Sequence, residues 1–188
     1  IMIVIQTSYN NISENLITMK QVGSFNDYLI SPITRVEILF ALLLSSIFMS
    51  IFLAIVSIII FNFIIDYQSI NLLLSLYYLL ITSLIFSIIG SIIGFLFFTW
   101  DMQQAISNFI IVPISLLSGT FFSLNVVDPK WMFLFKYNPI YQIVSNFRSS
   151  FTNNLQIDIR TEFFILTLTI IIFITAIIIY KKGYRVIN

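Results

Sequence analysis

Four stretches of this chain carry no charged side chain: Ile38 to Ile65, Tyr67 to Trp100, Met102 to Val127 and Phe163 to Tyr180. Each is long enough to cross a hydrocarbon core, which takes about 20 apolar residues in a helix. The bilayer interior offers no hydrogen-bond partners, so a spanning segment must satisfy its own backbone as a helix, or close into a barrel. Barrel strands alternate apolar and polar residues over about ten positions, and runs such as Leu53 to Ile65 show no alternation. The expected fold is therefore all-α, a polytopic transmembrane helix bundle. Composition agrees: 59% of residues are hydrophobic and 9% charged, against about a quarter charged in soluble domains.

The same residues remove whole classes of function. The chain has no cysteine and no histidine, so it lacks a disulfide framework, thiolate chemistry, the commonest metal ligand and the usual neutral-pH proton shuttle. No GxxxxGK[ST] phosphate loop occurs, so this chain does not bind ATP in that manner. A net charge of +1 gives no basis for a nucleic-acid partner. The expectation is a membrane protein that is not an enzyme and needs no cofactor or metal.

Along the chain, the spans are expected near 38–62, 72–98, 103–120 and 162–180. The opening "IMIVI" reads as the stub of a helix (1–6), with no basic stretch before it to make a leader, and 7–36 reads as a polar extramembrane segment. Basic residues flanking helices tend to remain cytoplasmic. Lys181, Lys182 and Arg185 follow the last span, whereas Asp158, Arg160 and Glu162 before it sum to minus one. That places the C-terminus in the cytoplasm, and counting back puts 7–36 and the "TWDMQQ" turn there too.

Small residues recur at helical spacing, Ser46, Ser50, Ala54 and Ser57 in one span and Ser83, Ser87, Gly90, Ser91 and Gly94 in the next. Such stripes let membrane helices approach closely. In the span 103–120, Gln104, Asn108, Ser115 and Ser118 fall within an arc of roughly 80° at about 100° per residue. Polar groups at membrane depth face another helix or a water-filled path, so these four are conduit candidates. Pro113 predicts a local break in the same helix. The candidate carboxylates for ion coupling, Asp66 and Asp101, lie at span ends and read as solvated, which leaves no mid-membrane carboxylate for that role.

Between the last two spans, residues 119–148 combine aromatic rings (Trp131, Phe133, Phe135, Tyr137, Tyr141) with Lys130 and Lys136, a mixture suited to the headgroup zone. Pro129 and Pro139 are placed to begin short helices, capped by Asp128 and Asn138. Gly119 permits a sharp bend at the top of its span. Short interfacial helices on the outer face are expected.

The stretch "LSGTFFSLNVVDPKWMFLFKYNPIYQIVSNFR" resembles the corresponding region of bacterial ABC-2 type transporter permeases: a Gly-x-Phe-Phe turn, a proline and tryptophan, an Asn-Pro pair, then an arginine. Gly119, Phe121, Phe122, Pro129, Trp131, Asn138, Pro139 and Arg148 occupy those positions. The tail "KKGYRVIN" is similar to the family's basic ending. In "MKQVGSFNDYLISPITRVEIL", Gly23, Ser24, Phe25 and Asn26 match one family block and Ser31, Pro32, Arg35 and Glu37 another, with Asn26 standing where relatives carry glutamate.

The resemblance implies that 1–188 is an ABC-2 type transmembrane domain lacking its N-terminal part, a first span and an interfacial helix. It further implies a permease half in a bacterial inner membrane, paired with a second half, identical or not, and with separate cytoplasmic ABC ATPase subunits. A cytoplasmic coupling helix would rest on the ATPase. Lys20, Gly23, Phe25, Asp27, Tyr28, Leu29, Pro32, Arg35 and Glu37 are the residues expected at that contact. The alternative is a membrane scaffold or accessory protein that recruits a cytoplasmic partner without moving substrate.

Overall fold

The computed structural model describes residues 1–64, 71–120, 138–151 and 159–182. Asp66, Phe121, Phe122, Asp128, Pro129, Lys130, Trp131, Phe133, Phe135, Lys136, Tyr137, Asp158 and the tail beyond Lys182 lie outside the described residues, as do the side chains of Asn26 and Leu29. Among those described, all regular structure is helical.

The longest helix begins where the sequence supplies a full capping box. Thr34 Oγ1 accepts from the Glu37 amide at 3.3 Å, and the Glu37 carboxylate accepts from the Thr34 amide at 2.8 Å. Two orphan donors of the first turn are thereby satisfied, and α3 runs from Arg35 to Asn62. Asn71 caps α4, Leu72–Leu96, by accepting from the Leu74 amide. The last helix covers Ile159–Lys182. By length and apolarity these three can cross a membrane, and they coincide with three of the four expected spans.

The beginning of the chain differs from expectation. The helix expected at 1–6 does not end there, and the stretch from 7 is not a separate polar segment; Met2–Val22 is one continuous helix, α1, about 31 Å long at 1.5 Å per residue. Its buried stripe contains Val4, Ile5, Tyr9, Ile12, Leu16 and Ile17. It lies parallel to α4: a Cβ on Gly90 would meet Tyr9 and Ile12, one on Gly94 would meet Ser13 and Leu16, and Lys20 reaches the carbonyls of Gly94 and Phe97. It is antiparallel to α3, since Val4 clusters with Ala54 whereas Ile12 and Leu16 cluster with Leu39 and Leu43. A helix lying alongside a spanning helix through its length occupies the same depth. Hydropathy misses it because its other face is polar.

The small-residue stripes mark the contacts among these helices. Ser46 Oγ and Ser87 Oγ are 2.9 Å apart, Ser50 Oγ and Ser83 Oγ 2.8 Å, and Ser46 Oγ donates to the Ser8 carbonyl at 2.7 Å. Close backbone approach and interhelical hydroxyl bonds replace the hydrophobic drive that lipid removes.

The segment 100–120 is not a uniform helix. Helix α5, Trp100–Ile106, passes into a π-helical turn at Ser107–Ile111, then α6 at Val112–Ser115, then a second π-turn at Leu116–Thr120. Pro113 has no amide hydrogen and its ring excludes the carbonyl four residues back. Widened turns on either side take up that defect, the form π-bulges commonly have. Gly119 closes the segment at φ 77°, with Tyr141 ring carbons 2.6 and 2.7 Å from where its Cβ would stand. The bend expected at Gly119 is present, and no other residue fits there. Helix α7, Pro139–Ser149, starts as its sequence predicts, with Asn138 Oδ1 accepting from the Ile140 amide at 3.0 Å. The final helix, Ile159–Lys182, is α8.

Candidate functional site

At one end of the bundle, Gly23 at φ 84° terminates α1 in the left-handed conformation, and a short helix α2, Ser24–Ile30, turns away from it. Phe25 fixes that helix. It is 4% exposed and packs edge-on against Phe95, which stacks on Tyr180 of α8. The ends of α1, α4 and α8 and the start of α5 therefore gather around α2.

Several of the expected partner contacts are turned inward. Lys20 Nζ donates to the carbonyls of Gly94, Phe95 and Phe97 and lies over the ring of Phe98. A cation at the last carbonyls of α4 satisfies orphan acceptors and the helix dipole together. Glu37 is exposed, with its carboxylate committed to the capping box. Asp27, Tyr28, Pro32 and Arg35 are exposed as well, and beside them stand Val22, Ile30 and Ile33, at 75%, 84% and 45% exposure. This ledge of apolar residues with Asp27 and Arg35 projects from the bundle end.

Lys20→Met should lower stability by about 1.5–3 kcal/mol, the usual worth of hydrogen bonds to a charged group, and raise amide exchange in α2 and residues 94–100. Unaltered exchange there would reject the capping role.

Along the bundle, the outward face of α1 carries Thr7, Asn10, Asn11, Glu14, Asn15 and Thr18, all half-buried or exposed, within an arc of roughly 140° at about 100° per residue. Helix α5 abuts it: Gln103 Nε2 donates to Asn10 Oδ1 at 3.2 Å and to Ser13 Oγ at 3.1 Å, and Tyr9 Oη donates to the Gln103 carbonyl. The four sequence-derived conduit candidates do not share one face. Gln104 and Asn108 are exposed and bonded to each other at 3.2 Å, whereas Ser115 and Ser118 are fully buried. The first π-turn changes the register between the two pairs. The α1 face escaped sequence reasoning, although its polar residues repeat with helical spacing and so left a legible signal. It also supplies a carboxylate, Glu14, half-buried on the outward face of α1 near the level of Gly90 and Gly94, where the sequence had offered only Asp66 and Asp101.

At the opposite end, Arg148 donates to the Gly119 carbonyl at 2.7 Å, so the glycine bend and the arginine of the sequence motif touch. Burial raises the pKa of the Tyr141 phenol packed on that bend. Glu162, read from sequence as a flanking charge, instead receives the Tyr77 hydroxyl at 3.1 Å, the Tyr78 hydroxyl, and Asn146 Nδ2 at 3.0 Å. One carboxylate thereby joins α4, α7 and α8.

Three helices able to cross a membrane, a projecting short helix at one end and a glycine–arginine clasp at the other define a membrane helix bundle. Residues 1–152 match the model of the family described as ABC-2 type transporter, and the chain belongs to that family. It is similar to the inner membrane transport permease YadH of Escherichia coli (strain K12), with 32% identity over 75 residues, 40% of this chain and 29% of the relative. The YadH proteins of Escherichia coli O157:H7 and Shigella flexneri match to the same extent. The matched part is less than a third of those relatives' length. No solved structure matches the chain.

Proposed function

We propose that this chain is one membrane half of an ATP-driven exporter of the bacterial inner membrane, working with a second half and two separate cytoplasmic ABC ATPase subunits. The observation that carries the reading is the ledge formed by α2. Phe25 clamps it to the ends of α4 and α8, so a push on the exposed Tyr28 and Ile30 is transmitted to the spans rather than absorbed by a loose loop. Apolar residues of this size at the end of a membrane bundle are suited to burial by a soluble partner. The ledge and the end of α8 share one end of the bundle, which is the cytoplasmic side in this reading.

The polar faces of α1 and α5 support transport over scaffolding. Carboxamides and a carboxylate left on an outward helix face at membrane depth suit a water-filled path between two halves, where water satisfies them. In this reading Asn11, Glu14, Gln104 and Asn108 border the path, and Ser115 and Ser118 stiffen its wall.

The test uses the full-length permease isolated with its cognate ABC ATPase subunit. Tyr28→Asp places a charge on the apolar contact without touching the core, and is expected to weaken ATPase association or transport-linked hydrolysis at least tenfold, about 1.4 kcal/mol, with the unfolding midpoint unchanged. Wild-type association and coupling in this variant would remove α2 as the docking element.

A further inference from the structure

The polar face of α1 has one charge among its six residues. Thr7, Asn10, Asn11, Asn15 and Thr18 are neutral, and Glu14 sits between them. Glu14 has no hydrogen-bond or ion-pair partner for its carboxylate among the described residues, whereas Lys20, the basic residue of α1, is turned away onto the last carbonyls of α4. Arg35, Lys181 and Lys182 are exposed at the starts or ends of their helices, and Asp101 is exposed at the start of α5. The α1 face thus presents a negative charge and carboxamides, with no cation of its own to neutralise them.

From this we infer that Glu14 selects for positive charge: the cargo, or the part of it that passes this level, carries a cationic group such as an ammonium or guanidinium. The inference rests on the proposed conduit and names its substrate class. Three physical points support it. A half-buried carboxylate beside low-dielectric helix surfaces is weakly screened and, where the second half closes over this face, concentrates counter-ions by about tenfold or more. Holding it there without a partner costs solvation, a cost that a passing cation offsets. Its level, near Gly94 at the end of the bundle that bears α2, is where cargo would enter from the ATPase side, so selection would precede the main barrier.

Because this sequence has no cysteine, one can be placed at Asn11, one turn from Glu14, in the full-length permease cleared of any other thiol and embedded in nanodiscs. The rates of a trimethylammonium-bearing and a sulfonate-bearing methanethiosulfonate are then compared, each relative to its rate with a free thiol. With Glu14 intact the cationic reagent should be favoured by about tenfold or more. Glu14→Gln should bring the ratio near one, and Glu14→Asp, which keeps the charge, should preserve it. A ratio independent of residue 14, loss of the ratio in the aspartate variant, or a thiol that reacts with neither reagent would each overturn the assignment. The measurement needs no ATPase, so its failure is separable from failure of the docking test on Tyr28.

Discussion

Gly90→Leu is expected to destabilise the bundle by about 3 kcal/mol or more, at the upper end for overpacked interiors. Even a single added carbon would lie 2.6 Å from the Tyr9 carbonyl oxygen and 3.1 Å from its Cα. Those are backbone atoms, so no rotamer change relieves the clash, and α1 must move away from α4. Separation would also stretch the hydroxyl bond from Ser46 to the Ser8 carbonyl and the contacts of Gln103 with Asn10 and Ser13. The check is the thermal midpoint of the purified protein in detergent, with the yield of monodisperse material. A near wild-type midpoint would mean that α1 does not pack on α4 at this register, and the assignment of its polar face would fall with it.

Glu162→Leu should cost about 2–4 kcal/mol, because two phenols and a carboxamide lose a charged acceptor and are left poorly paired. The loss should be local as well as global. Asn146 belongs to α7, and its bond to Glu162 ties that short helix to α8, with the Ser150 carbonyl accepting from the Asn71 amide as a second tether to the start of α4. Amide exchange should therefore rise most in α7. Glu162→Gln, which keeps acceptor oxygen but gives up charge, should lose less than leucine does. If leucine leaves both stability and α7 exchange unchanged, the carboxylate is a solvated flanking charge, as simple reading of the sequence has it.

Much of the architecture was legible before any coordinates. Uncharged runs of this length must be helices, since lipid forces each backbone to close on itself, and α3, α4 and α8 lie where those runs are. Ser46, Ser50, Ser83 and Ser87 were legible as a packing stripe because only small residues permit such approach. Gly119, Asn138 and Pro139 act through backbone geometry that is local to their own positions.

What the sequence concealed has one common cause: it depends on which neighbour lies alongside. The stretch "QTSYNNISENLITMK" has the hydropathy of a loop, and becomes a membrane-depth helix only because α3 and α4 cover one side of it. Lys20 and Phe25 look like surface contacts until the end of α4 is placed beside them. The polar stripe of residues 104 to 118 assumes 100° per residue, and a π-turn adjusting to Pro113 breaks that assumption. Residue by residue, then, the chain determined that the three apolar runs of α3, α4 and α8 are long enough to cross a bilayer and that the backbone bends at Gly119. The packing of one helix on another decided which polar groups are buried, which are paired, and that Glu14 is left facing outward.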